Sequence, residues 1–234
     1  MIGQTRIDEN ESLTRMEELR KKAEKGSKLE LAGMAGILLL PIGLGLIFAG
    51  SRMREKANEE MDELYREAFI REPLSENFEI IDFRPYEGFS EEQVEGFCIC
   101  DMGNMFDSEA YGKATLRDVR IETSDVTVQH YDRLAKKGNT QTLFKGRIVV
   151  LECPEEIPSS ETVKERAGGI LASLAERHKS VDMKVDGKKV ILALNDGEGI
   201  PFYREKKKDI SPEKELAKVY EDLDDIKTLV SMIA

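Results

Sequence analysis

Few residues in this chain have types and spacings that could do chemistry. Cys98 and Cys100 stand two apart, and His130 is one of only two histidines. A Cys98–Cys100–His130 metal site is conceivable, but zinc sites use tighter, paired ligand spacing. Small buried thiols and a partly exposed histidine are the simpler reading. Cys153 could pair with only one of the other two cysteines, so the set is not a secreted disulfide framework. Asn195–Asp196–Gly197–Glu198–Gly199 offers carboxylates to a cation but lacks EF-hand spacing and the Lys-Ser/Thr of a phosphate loop. It reads as a surface turn.

Asp107–Ser108–Glu109 and Ser124–Asp125 put polar groups beside strands, as ordinary turn formers do. Lys145 and Arg147 share one strand face, with Gly146 between them. They could touch lipid headgroups or form a salt-bridged edge, and the second is favoured. His178 falls at a helix end, where a cation is favoured. These groups form no catalytic set, so no catalytic, cofactor-binding or metal-ligating residue is assigned, and no cofactor is implied.

The elements that would position such groups are arranged around Leu31–Gly50, LAGMAGILLLPIGLGLIFAG, twenty residues without a charge. As a helix this run is about 30 Å long, the thickness of a bilayer's hydrocarbon core. It predicts a single transmembrane crossing with a kink at Pro41. The alternatives are a re-entrant hairpin turning at Pro41–Gly43 and a buried soluble helix. Ala32 with Gly36, and Gly45 with Ala49, have the small-xxx-small spacing that permits helix pairing.

The expected organisation is a charged N-terminal helix (1–30), a transmembrane segment (31–50), a helical neck (51–72) and a soluble α+β domain (73–234). On the neck, Met53, Ala57, Met61, Leu64 and Ala68 make a narrow seam, and Pro73 should end the helix within a residue or two.

Beyond the neck the period changes to two. Strands are expected at Phe78–Phe83, Tyr111–Thr115, Leu116–Glu122, Val126–Tyr131 and Leu143–Cys153, the last central because it is apolar on both faces near Ile148–Leu151. Ser90 and Gln93 have capping-box spacing before a short helix. Thr162 and Glu165 repeat that spacing before a second, weakened by Gly168–Gly169. Val181, Met183 and Val185, a turn at Asp186–Gly187, and Val190, Leu192 and Leu194 spell a β-hairpin. Ser211–Pro212 then opens a helix carrying Leu216, Val219, Leu223, Ile226, Val230 and Ile233 on one stripe. The fold class is α+β: a mostly antiparallel sheet packed by two helices.

From about Met61 to the end, the chain resembles the bacterial family called domain of unknown function 3137, found in Gram-positive gut bacteria. The resemblance rests on Tyr65, Phe69 and Pro73 on the neck, on Gly103–His130 (GNMFDSEAYGKATLRDVRIETSDVTVQH), on Phe144–Arg147 and on the closing helix. It implies a membrane-attached protein with a cytoplasmic domain and supplies no activity. Members usually carry two adjacent spans, whereas this chain has apolar residues for one, and the stretch between Glu152 and Thr162 is shorter.

Charge narrows the functions. Net charge is −11 over 234 residues, and residues 72–234 hold 23 Lys and Arg against 33 Asp and Glu. Such a domain is repelled by phosphate, which argues against nucleic acid. The expectation is a membrane-anchored interaction or scaffold protein in the cell membrane, with its domain in the cytoplasm and no evident catalysis. Its partners would be the bilayer and a protein or second copy bound through the membrane helix and neck. The alternative is a lipid- or ligand-sensing module at the membrane surface.

Overall fold

The computed structural model describes residues 9–35, 40–132, 139–157, 160–196 and 212–234. Helix α1 (Glu9–Ala35) and helix α2 (Leu40–Arg66) run antiparallel as a hairpin. The uncharged run is therefore divided: Leu31–Ala35 ends one helix and Leu40–Gly50 begins the other. The expectation of one helix over 31–50 is corrected, and so is a turn at Pro41–Gly43, since both residues lie within α2. Among the described residues no helix is long and apolar enough to cross a membrane. The reason is packing: Met16 and Leu19 of α1 bury against the seam that Ala57 and Met61 give α2, so the neck's apolar stripe is met by the N-terminal helix.

A π-helical turn (Glu67–Arg71) joins α2 to helix α3 (Glu72–Asn77). Pro73 does not stop the helix as expected. It sits in the first turn of α3, directly after the π turn, where a missing N–H is tolerated.

Among the described residues six strands form one antiparallel sheet, in the order β1-β2-β3-β4-β6-β5. They are β1 (Glu79–Arg84), β2 (Met105–Leu116), β3 (Val119–Asp132), β4 (Asn139–Glu152), β5 (Ser180–Asp186) and β6 (Lys189–Asn195). The helices after α3 are α4 (Glu91–Phe97), α5 (Ser160–Arg166), α6 (Gly168–Arg177) and α7 (Pro212–Ile233). Strand β4 is central and buried on both faces, as its sequence predicts: Val149 and Leu151 face one core, Ile148 and Val150 the other. The first core is covered by α3, α5, α6 and α7. The second is covered by α4 and its flanking segment, through Phe89 and Val94.

Four local readings shift. Strand β2 begins at Met105, six residues before the expected start, because Asp107–Glu109 pair with Thr127–Asp125 despite their turn-forming types. The proposed strand at Leu116–Glu122 contains the β2–β3 turn at Arg117–Asp118. The helix expected after Thr162 is two helices, α5 and α6, broken at Ala167. The β5–β6 loop is Gly187–Lys188, one residue later than read, with Gly187 at φ +59°. Positive φ at the first loop residue suits a right-twisted hairpin. The Ser90–Gln93 capping box is present in full. Ser211, the expected cap of α7, lies outside the described residues, but α7's stripe packs as predicted, with Leu216, Leu223, Ile226 and Val230 buried.

At Gly146, β4 and β6 approach so closely that a Cβ would stand 1.9 Å from the Leu194 carbonyl oxygen. At Gly169, on α6, nothing lies within 4 Å. Gly146→Ala should therefore destabilise the fold by about 1–3 kcal/mol through overpacking, while Gly169→Ala should stabilise it by about 0.5–1 kcal/mol. Urea unfolding of both variants checks this; equal effects of one sign would contradict it.

Candidate functional site

Two regions concentrate features that packing alone does not require. The first is the hairpin. Gly26 and Gly50 meet where the helices cross: a Cβ on Gly26 would lie 2.8 Å from the Gly50 carbonyl oxygen, and one on Gly50 2.6 Å from that of Gly26. Only hydrogen fits between the backbones at that point. One turn nearer the tip, Glu30 is nearly buried and accepts from Ser51 Oγ and Arg54 Nη1, both at 2.6 Å. At the other end, Arg15 meets Glu60 at 3.3 Å. The register is thus held by a close crossing and two polar locks. The close crossing here is made by Gly26 with Gly50; of the pairs with small-xxx-small spacing, Ala32/Gly36 and Gly45/Ala49, Gly36 lies outside the described residues.

Beyond the crossing the described side chains are apolar and exposed at Leu31, Ala32, Phe48 and Ala49. Leu31 is 71% exposed and Phe48 62% exposed, with Arg52 stacked over the Phe48 ring at 5.0 Å. Charge is ordered along the axis. Residues 20–30 carry five Lys or Arg against two Glu, and residues 50–56, which lie alongside, carry three against one. Nearer the domain the sign reverses: residues 9–19 and 57–66 each carry four acids and one arginine. An apolar tip, a basic collar and an acidic stem follow one another down the hairpin.

The second region is a buried polar network under α7. His178 caps the C-terminus of α6, as its sequence position predicts. Its Nδ1 lies 2.9 Å from Asp196 Oδ1, at the end of β6, and its Nε2 3.0 Å from Asp222 Oδ2, on α7. Lys218 Nζ donates to Asp196 Oδ1 at 2.6 Å. Arg177 donates to Asp222 at 2.8 Å and to Asp225 at 2.6 Å. Burial pulls the His178 pKa down, but the hydrogen bonds and charges of Asp196 and Asp222 outweigh it and hold the ring's pKa above its ordinary value. Burial would raise the Asp196 pKa, yet His178 and Lys218 hold it low. The ring lies between two carboxylates, which favour its charged form.

Asp196 Oδ2 and Thr123 Oγ1 are buried without a hydrogen-bond partner among the described residues. Both residues line a cavity of about 40 Å³ under α7. That is room for a few waters and far below the several hundred Å³ of a ligand site. The arrangement ties α6, β6 and α7 together. Sequence reading found His178 but read Asp196 as part of a surface turn, and Asp222 carried no signal beyond its place beside α7's apolar stripe. Gly197–Gly199 lie outside the described residues.

The remaining candidates do not converge on a reaction centre. Cys98 is exposed, in a left-handed conformation at the end of α4. The Cys100 thiol is pushed up to about 11, by burial first and then by Asp101 and Asp182. Burial also raises the Cys153 thiol pKa, and His130 is exposed on β3. All three cysteines are free, and no described His, Cys, Asp or Glu residues group as metal ligands.

The polar residues beside the strands serve as joints. Arg147 forms a two-pronged pair with Asp125 at 2.8 and 3.2 Å, although β4 is central and not an edge. Ser124 Oγ donates to the Glu109 carbonyl oxygen at 2.8 Å and lies 2.9 Å from Ser108 Oγ. Glu109 receives Arg66 from the neck at 2.6 Å, and Arg66 also stacks on Tyr86 at 4.6 Å. The concavity large enough for a small molecule that holds a cysteine is an open groove of about 540 Å³, with Cys153, Val163 and Leu229 among its walls and Glu155, Glu156 and Arg166 at its rim.

Comparison with protein-family profiles, with curated proteins and with solved structures returns no match.

The sign of the network's pH dependence follows from the shifts. A histidine whose folded pKa is raised stabilises the fold fully below the unfolded value of about 6.5. That stability is lost as pH rises through the folded value. His178→Ala should therefore cost about 3 kcal/mol at pH 6, as removal of one partner from a buried ion cluster does, and clearly less at pH 9. Urea unfolding of both proteins at the two pH values checks this, and a gap independent of pH would contradict it.

Proposed function

We propose that this protein is a membrane-anchored interaction or scaffold protein. Its apolar run engages the bilayer, and its α+β domain stands in the cytoplasm to meet a protein partner. The observation that carries this reading is the exposed apolar surface where the uncharged run meets the helix crossing. Ten of the run's twenty residues are Leu, Ile or Phe, and Leu31 at the end of α1 and Phe48 on α2 are bare. An apolar surface of this kind needs a cover, and lipid tails are one that requires no complementary shape.

Supporting the non-catalytic side of the reading, the buried ionisable groups of the domain are spent on joints: His178 with two aspartates, Arg147 with Asp125, Arg66 with Glu109. The hairpin also brings both flanks of the apolar run to one side. Their lysines and arginines then act together, which favours the cytoplasmic side. Membership of the domain of unknown function 3137 family is part of this proposal. A ligand-sensing role is the second reading, favoured by the groove beside Cys153.

Replacing Leu39 and Leu44 by Arg adds about 2.5–3.5 kcal/mol each to the cost of insertion. The double variant should move from the membrane pellet to the supernatant after a carbonate wash, while the unchanged protein stays in the pellet. Retention of the variant would contradict the anchor. Cys98, the exposed thiol, reports sidedness: an impermeant maleimide should leave it unlabelled in intact cells and label it after lysis, and labelling in intact cells would contradict a cytoplasmic domain.

A further inference from the structure

The geometry points to a more specific mode of membrane contact: we infer that the hairpin is a one-leaflet wedge whose basic collar binds anionic phospholipid headgroups. This rests on the membrane reading above and adds its depth and its lipid class. From Gly50 back to Leu40, helix α2 rises about 15 Å, half of the roughly 30 Å hydrocarbon core. Antiparallel pairing brings the other arm down alongside, so the described arms span about one leaflet and both flanks emerge at one surface. Glu30, the charged residue next to the uncharged run, is already neutralised by Arg54 at 2.6 Å and hidden between the helices.

The collar sits where headgroups would be. Lys25, Arg52 and Lys56 are exposed within two turns of Gly26 and Gly50, and Lys28 is exposed about half a turn nearer the tip than Gly26. Arg52 lies over Phe48, which pairs a cation with an aromatic ring at the interface level. Each lysine or arginine near an anionic surface adds attraction that falls off within a Debye length. The acidic stem beyond the collar is repelled by the same surface. It therefore limits penetration and holds the hairpin upright, away from lying flat. A second copy laid parallel on the tip fits less well, because it would bring collar against collar and stem against stem, like charges facing like.

The test is flotation of the full-length chain with vesicles of phosphatidylcholine alone and of phosphatidylcholine mixed with phosphatidylglycerol. Recruitment should be on the order of tenfold stronger on the anionic vesicles at low salt and should fall towards the neutral level at high salt. The variant Lys25→Gln, Lys28→Gln, Arg52→Gln, Lys56→Gln should lose the preference while still floating. Because the chain has no tryptophan, Leu31→Trp and Phe48→Trp report depth separately; iodide added outside should quench both.

Equal, salt-independent recruitment to both vesicles would overturn the headgroup inference and leave the anchor standing. Quenching of only one tryptophan would overturn the one-leaflet geometry. No flotation with either vesicle, together with a larger species in sizing chromatography, would overturn the membrane reading in favour of self-association.

Discussion

The crossing of α1 and α2 at Gly26 and Gly50 is the constraint on which the rest of the molecule depends. Two backbones meet with a carbonyl oxygen of each where a methyl group of the other would be. That closeness lets Glu30 reach Ser51 and Arg54, and it sets Met16 and Leu19 against Ala57 and Met61. A helix pair held this way cannot open into one straight rod without exposing those side chains and stranding a buried carboxylate. The uncharged run is therefore split between the two helices, and the charges of α1 and α2 are sorted along one axis beneath it.

The domain is joined to that axis at few points. The π turn at Glu67–Arg71 leads α2 straight into α3, and Arg66 meets Glu109 beside the bulge of β2. Ala110 holds a left-handed φ of 57° in that bulge. Its N–H turns away from β3 to the Pro85 carbonyl oxygen, and the Tyr111 N–H turns to that of Glu87. The same irregularity thus clips the segment before α4 onto the second face of the sheet and presents Glu109 to the neck. At the opposite side, His178 and its aspartates bind α7 to α6 and β6. The sheet is gripped at both ends by charged joints, while its apolar faces supply the burial.

Much of this was legible in the residues. Period-two alternation marked β5 and β6, a run apolar on both faces marked β4, the capping box marked α4, and a long stripe marked α7. Each of these signals depends only on neighbours in the chain. What the residues could not display was pairing at a distance. Asp107–Glu109 read as a turn because nothing nearby reveals that Asp125–Thr127 lie opposite. The Asp222 side chain lies next to an apolar stripe and looks like any solvated acid until α7 is laid over His178. The apolar run matched a bilayer's thickness and was read as one helix; the partner that makes it a hairpin, the face of Met16 and Leu19, is thin enough to pass for a solvated helix. A window of twenty residues measures hydrophobic length but not whether the chain turns within it.

The most direct measurement is the distance between nitroxide labels at Lys22→Cys and Glu55→Cys, with Cys98, Cys100 and Cys153 replaced by serine, in the membrane-bound protein. Both positions are exposed and lie at similar levels on the two helices. A hairpin predicts a separation under about 25 Å, given the 8–10 Å between packed helix axes and the reach of two labels. One continuous helix would set the labels roughly 50 Å apart, and that value would contradict the account.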